Sequence, residues 1–213
     1  MAKRPVFAAG DVMSAVYRRE VEFQWFAGMS DAQKKRCVDS LHAAYQLRYP
    51  GKKVLEISSK SREELGVRLS AFHLTKFVPS LGKSVPVECV FQGSKVFYGG
   101  GPFTDLYTGA PIDAKRDPRL RESGPVTGFC FEGRTYPAQP CTAFYCWVWC
   151  NALLEHPDMA EAILQYDAFT DIVFNPEKSR NCQAEAAAIF VGLARRGLLE
   201  QIRDFDSFVR LMR

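Results

Sequence analysis

Hydrophobic and polar positions recur along the first half of the chain with two periods, which predicts both strands and helices. VEFQWF (residues 21–26) alternates as a half-buried strand does, and KVLEISS (residues 53–59) is typical of a second strand. Between them, apolar positions recur at helical spacing at Cys37, Leu41, Ala44 and Tyr45. Ser30 is a suitable N-cap and Pro50 a helix terminator, so we expect one long helix here.

The second half of the pattern predicts more helices than strands. SREELGVRLSAFHL (residues 61–74) begins with a capping box and predicts a short helix, and TGFCFEGRTYP (residues 127–137) alternates as a strand does. Residues 142–167 predict two helices divided at Pro157, and residues 179–202 an Ala-rich helix that Gly197 can close. Because no linker separates these elements, we expect a single helix-rich α+β domain over residues 1–213.

The stretch SVPVECVFQGSKVFYGGGPF (residues 84–103) predicts a helix over residues 86–98. In that helix Glu88, Gln92 and Lys95 lie within roughly 60° of one another. Spacing alone favours an ordinary solvated face. Glu88 and Lys95 are, however, the only charged residues between positions 85 and 101, which favours a buried and paired or functional set. Glycines 99–101 would allow backbone N–H groups to approach a phosphate, within an expected loop over residues 99–124.

Composition and charge restrict the function further. The chain has 213 residues and a net charge of +4, which permits a nucleic-acid partner without requiring one. Seven cysteines and a start without a secretory pattern predict reduced thiols in the cytoplasm. No apolar run reaches the roughly 18 residues of a membrane span, so we expect no membrane partner. The Cys and His spacings do not favour a metal site, and no cofactor is expected.

Four segments resemble the NADAR family. They are LSAFHL (residues 69–74), VECVFQGSKVF (87–97), NALLEHPDMAEAILQYD (151–167) and FTDIVFNPEKSRNCQAEAAAIFVGLAR (169–195). The second segment matches the family's Glu–Phe–Gln–Lys helix and is the specific part. The motif-bearing core covers about residues 55–196, and we interpret residues 1–50 as a family-specific extension.

The chain also departs from the family pattern. Cys89 and Ala71 stand where the family often has His and Asn, and FNPEKSRN replaces a common Trp-Gly pair. These changes indicate a distinct branch. Phrases such as LEISSKS, FQGSKVF and AKRDPRL are similar to NADAR antitoxins that are encoded beside DarT-type ADP-ribosyltransferase toxins.

The resemblance implies a NADAR fold and a glycohydrolase that removes ADP-ribose from guanine bases of DNA, reversing the toxin. Its partners would be ADP-ribosylated DNA, the product ADP-ribose and a DarT-type toxin. Two alternatives stay open. One is a non-catalytic antitoxin that binds ADP-ribose or the toxin, and the other is an N-glycosidase of riboflavin-pathway intermediates.

The resemblance also assigns expected roles to residues. Glu88 would stabilise positive charge on the sugar or activate water. Lys95 would pair with Glu88, hold a phosphate or attack the anomeric carbon as an amine, and Gln92 would position the substrate. Further substrate-binding candidates are Lys60, Phe72, Asp105, Asp171, Asn175 and Asn181. Candidates for DNA phosphates are Lys115, Arg116 and Arg119.

Overall fold

Strands from both ends of the chain form the main sheet. The computed structural model describes residues 1–28, 30–177 and 179–212. Its four-stranded sheet has the order β2 (Val16–Phe23), β1 (Ala2–Ala9), β9 (Ala168–Thr170) and β3 (Val54–Glu56). β1 is antiparallel to both of its neighbours, and β3 is parallel to β9. The first residues of the chain are therefore part of the sheet.

The predicted long helix is present as α1 (Asp31–Arg48), which packs on one face of this sheet. The side-chain oxygen of Ser30 accepts a hydrogen bond from the backbone N–H of Gln33, which confirms the predicted N-cap. Leu41 and other buried residues of α1 meet the apolar positions of β1 and β2. The strand predicted over residues 21–26 is shifted, since β2 ends at Phe23 and the following aromatic residues pack against this small core.

The remaining elements build two smaller sheets and a helical layer. The strands are β4 (Thr75–Val78), β5 (Lys83–Pro86), β6 (Lys95–Phe97), β7 (Val126–Phe131) and β8 (Arg134–Pro137). The helices are α2 (Glu64–Arg68), α3 (Val87–Gly93), α4 (Pro111–Arg116), α5 (Arg119–Glu122), α6 (Ala143–Leu153), α7 (Pro157–Ala162), α8 (Gln183–Arg195) and α9 (Phe205–Leu211). Short 3-10 helices cover Pro79–Leu81, Thr104–Thr108, Ile163–Gln165 and Leu199–Ile202. The predicted α+β class is confirmed.

The centre of the molecule is the pair α6 and α8. α6 contains no charged residue, and all eleven of its residues are buried, as expected for a helix that is apolar all round. α8 contributes small alanines that allow close helix packing. The ring nitrogen of Trp149 donates to the backbone oxygen of Leu69, which fixes the segment before α3 against this core. α3 also packs on α6.

Three predictions in the segment 84–124 were wrong. The helix predicted over residues 86–98 ends at Gly93, and Lys95 starts β6, where it pairs with Phe129 of β7. The expected loop over residues 99–124 contains a 3-10 helix and the helices α4 and α5. The N–H groups of Gly99 and Gly100 donate to the backbone oxygens of Ser123 and Phe97, so they are not aimed at a ligand.

Among the described residues, no helix combines the length and the apolar character that crossing a membrane requires.

Gly93→Ala should destabilise the fold. A Cβ atom there would lie 2.5 Å from a ring carbon of Tyr107, in a site where the backbone oxygen of Phe103 is also close. We expect the free energy of unfolding to fall by about 1–3 kcal/mol, measured by urea denaturation. Gly109→Ala is the matched control, because the atom nearest to its added Cβ would lie 3.8 Å away. Equal stability of the two variants would contradict this packing argument.

Candidate functional site

The polar side chains of α3 face a cavity inside the molecule. All seven residues of α3 are buried, and Glu88 and Gln92 are 5% and 7% exposed. The cavity has a volume of about 510 Å³, within the range of small-molecule sites. Its walls come from α3, from the segments around Ser58 and Phe72, from α4 and α5, and from residues 171–183.

A chain of hydrogen bonds joins the three polar residues that the sequence brings together. The Lys95 ammonium nitrogen donates to the side-chain oxygen of Gln92 over 2.7 Å. The Gln92 amide nitrogen donates to Oε1 of Glu88 over 2.8 Å. The Nζ atom of Lys115 approaches the same carboxylate oxygen at 3.9 Å. The Glu88 carboxylate thus lies close to the Lys115 ammonium group on one side and is linked to Lys95 through the Gln92 amide on the other.

Lys95 has an unusual titration. Burial lowers the pKa of Lys95 to about 8. The negative charge of Glu88 opposes this shift, and the positive charge of Lys115 adds a smaller lowering effect. The Nζ atom also lies 4.6 Å from the ring centroid of Phe91. Near neutral pH a fraction of this amine is therefore unprotonated, which is the form that attacks an electrophilic carbon.

The mouth of the cavity combines cations with an aromatic ring. Phe72 lines the wall, and the Nζ atom of Lys115 lies 5.4 Å from its ring centroid. Arg121 also lines the cavity. Cations beside a ring are suited to a ligand that carries phosphate and a flat base.

The back wall contains two carboxylates in close association. Oδ1 of Asp171 accepts hydrogen bonds from the N–H groups of Val173 and Phe174, each over 3.0 Å. Glu56 is 1% exposed and accepts from the hydroxyls of Ser58 and Thr170, both over 2.6 Å. Burial raises the pKa of both carboxyl groups, and the charge of Glu56 raises that of Asp171 further, to about 7.

Two asparagines complete the wall that follows β9. Asn175 and Asn181 both line the cavity. The side-chain oxygen of Asn181 is buried and has no hydrogen-bond donor among the described residues. A buried acceptor of this kind is costly unless a ligand or water donates to it.

The structure places the other candidates outside the cavity. Lys60 forms an ion pair with Asp31, with 2.7 Å between nitrogen and oxygen. Arg119 is paired with Asp105 at 2.6 Å and with a second carboxylate, Asp117, at 2.9 Å. Arg116 is exposed at the end of α4. Lys115, expected at DNA phosphates, lines the cavity instead.

Sequence reasoning missed several lining residues. Tyr145 lies in the uniformly apolar α6, where no pattern distinguishes it, and it contacts the Phe91 ring edge to face with centroids 5.0 Å apart. Gln183 begins α8 and accepts a hydrogen bond from the Ala71 backbone over 2.8 Å. Arg121 lies two positions after Arg119 in α5, and only the orientation of this helix in the fold shows that Arg121 lines the cavity. Among the described residues, no three His, Cys, Asp or Glu side chains converge as metal ligands would.

Asp171→Asn should reduce the pH dependence of stability. An aspartate with a raised pKa in the folded protein stabilises it below its unfolded pKa of about 4, and this contribution is lost as pH rises through about 7. We therefore expect the free energy of unfolding of the variant to decline less than that of the wild type between about pH 4 and pH 8. Urea denaturation across this range measures it. The exposed Asp206→Asn is the control, and equal pH dependence in all three proteins would contradict the raised pKa.

Comparison with known proteins places this cavity in a family. No curated protein matches the chain. A family model described as the DarT1-associated NADAR antitoxin matches residues 2–213, a range that includes the first fifty residues. Because this match extends over nearly the whole chain, the protein belongs to the family of DarT1-associated NADAR antitoxins.

Proposed function

We propose that the protein is a glycohydrolase that removes ADP-ribose from guanine bases of DNA and so reverses the modification made by a DarT-type toxin. The observation that carries the proposal is the buried chain Glu88–Gln92–Lys95 on the floor of the cavity. The reaction cleaves the bond between the ribose anomeric carbon and an exocyclic nitrogen of guanine. Such a cleavage needs a carboxylate beside the sugar and a nucleophile or activated water.

Lys95 is the nucleophile in this proposal. Opening of the ribose ring leaves the anomeric carbon as an imine with the guanine nitrogen, and the neutral amine of Lys95 adds to that carbon. The guanine amine takes up a proton and leaves, which gives a Schiff base between Lys95 and the sugar. Water then adds to the same carbon, the Lys95 amine leaves, and ADP-ribose is released. The net reaction consumes one water molecule.

Glu88 supports these steps as a carboxylate. It lies between Lys115 and the Gln92–Lys95 pair, so it can stabilise the positive charge of the iminium and accept the proton that the attacking amine loses. Gln92 fixes the positions of the Lys95 amine and the Glu88 carboxylate relative to each other, because its side-chain oxygen accepts from the amine and its side-chain nitrogen donates to the carboxylate. Its role is positioning, because an amide does not titrate near neutral pH.

The cavity walls are suited to the rest of ADP-ribose. Lys115 and Arg121 can neutralise the two phosphates, and the Phe72 ring can stack on a base. Asp171, Asn175 and the unsatisfied oxygen of Asn181 can bind ribose hydroxyls or the guanine edge. Lys60, Asp105 and Arg119 are left out of this set, since none of them lines the cavity and each is held in an ion pair elsewhere. Arg116 is exposed beside the mouth and suits a phosphate of the DNA.

Glu88→Gln should lower kcat for release of ADP-ribose from a modified guanine oligonucleotide by about 10²–10⁴-fold. Binding of ADP-ribose should persist, because the amide keeps the shape and the hydrogen bonding of the site. Glu122→Gln, at an exposed carboxylate of α5, is the matched control and should act as the wild type does. Wild-type turnover by Glu88→Gln would refute the mechanism. A wild type that binds ADP-ribose without turnover would favour a binding antitoxin, and turnover on riboflavin intermediates alone would favour a metabolic N-glycosidase.

Borohydride added during turnover should trap a covalent adduct on Lys95, detected by mass spectrometry. The rate should rise with pH through about 8, because the neutral amine is the reactive form. Lys95→Ala should give no adduct and little activity, and Lys95→Arg should not restore it, since a guanidinium stays protonated. Lys83→Ala, at an exposed lysine, is the control. Near-normal activity of Lys95→Ala without any trapped adduct would remove Lys95 from the mechanism.

A further inference from the structure

Positive charge is concentrated in the first quarter of the chain, outside the cavity. Residues 1–53 contain ten Lys or Arg and five Asp or Glu, a net charge of +5, against +4 for the whole chain. The remaining residues are therefore close to neutral overall. The fold places this basic segment in the β1–β2 hairpin and in α1.

The strand register directs two of these cations, Arg4 and Arg19, to one face of the sheet. Arg4 is paired with Val21, and Arg19 with Val6, across the β1–β2 ladder. Val6 and Val21 both pack in the small core beneath α1. Because paired residues share a face of the sheet, the two arginines project on the side that α1 covers.

Aromatic rings hold the cations of this surface in place. Lys34 Nζ and Arg4 Cζ lie 4.6 Å and 5.3 Å from the ring centroid of Trp25. Arg36 Cζ lies 4.0 Å from the centroid of Phe26. Near the other end of α1, Arg19 and Arg48 lie 5.8 Å and 5.7 Å from the centroid of Tyr49. We call the cations Arg4, Arg19, Lys34, Arg36 and Arg48 with these rings the basic strip.

The positive charges of the basic strip are not paired with carboxylates of the described residues. In the described part of the chain, its five cations take part in no ion pair with a carboxylate. Each of these five cations is at least partly exposed, and within the described ranges none of them is paired with carboxylates as Arg119 is. A polyanion is the partner that this charge pattern fits.

The N-terminal end of α1, which carries Lys34 and Arg36 of the basic strip, is linked to the cavity wall. Ser58 and Ser59 line the cavity, and the adjacent Lys60 is bonded to Asp31, the first residue of α1. The 18 residues of α1 extend over about 27 Å from that point.

We propose that the basic strip binds the sugar-phosphate backbone of the single-stranded DNA next to the modified guanine. This inference rests on the proposed function for the identity of the nucleic acid. A single strand is the expected form, because a base can enter a cavity only when it is outside a duplex stack. The aromatic rings of the strip add surfaces on which neighbouring bases can stack.

The test uses fluorescence anisotropy with the full chain and an unmodified single-stranded oligonucleotide of about twelve nucleotides, over a range of salt concentrations. The strip variant combines Arg19→Gln, Lys34→Gln and Arg36→Gln. The control combines Lys83→Gln, Arg203→Gln and Arg210→Gln, three exposed cations elsewhere. We expect the strip variant to bind at least about tenfold more weakly, with a salt slope smaller by about 2 for three lost phosphate contacts, and the control to match the wild type.

Equal binding by the wild type and the strip variant, or no binding by the wild type, would overturn the inference. Tighter binding to a duplex than to a single strand would overturn its choice of partner. Loss of binding to the toxin protein, with DNA binding intact, would show instead that the strip is a protein interface.

Activity separates this inference from the proposed function. The strip variant should keep the wild-type kcat on ADP-ribosylated guanosine, which is too small to reach the strip, and should show a raised KM on a modified oligonucleotide. A wild type that releases no ADP-ribose from either substrate, yet binds single-stranded DNA through the strip, would refute the proposed function and leave the strip standing. If the strip variant also had a raised KM on ADP-ribosylated guanosine, its substitutions would be acting on the cavity itself, and this result would contradict the inference.

Discussion

The amide of Gln92 is the contact on which the site depends. A carboxylate and an amine that are both removed from water need partners, and the two ends of one amide satisfy both. Because the neutral amide lies between them, Lys95 and Glu88 do not form a direct ion pair. A direct ion pair would raise the pKa of the Lys95 amine. The molecule thereby keeps a carboxylate and a partly neutral amine side by side in one cavity, an arrangement that a direct salt bridge would abolish.

The surrounding fold provides the burial that makes this arrangement effective. α3 is short and enclosed by α4 and α6, so its polar groups face the cavity rather than bulk water. The opposite wall follows β9, where Asp171 and Glu56 are buried together and share hydrogen bonds with the backbone and with hydroxyls. The cavity therefore has a basic and aromatic mouth, a mixed floor and a back wall in which burial raises the pKa of both carboxyl groups.

The most informative sequence signal is an isolated pair of charges in an apolar stretch. Burial of charge needs compensation, so the pattern around Glu88 and Lys95 favours a buried set that is either paired or functional, and the family resemblance assigns it the functional role. The helix period also places Lys95 correctly beside Gln92, although Lys95 belongs to a strand, because β6 starts directly where α3 ends. Tyr145 and Arg121 could not be predicted. α6 is apolar on every side, and in the four-residue α5 the side chains of Arg119 and Arg121 point about 200° apart, with no periodic pattern to indicate which of them faces the cavity.

The sheet order has a consequence for synthesis of the protein. β9 pairs with β1 and β3, whose residues precede it by more than one hundred positions, and Asp171 follows β9 directly. A ribosome-bound chain that has not reached residue 168 already contains Glu88 and Lys95, yet it lacks β9 and the part of the back wall that follows it. Such distant pairings form late and slowly. The cavity, which Asn181 and Gln183 also line, is therefore completed only after residue 183 of the 213 has been translated.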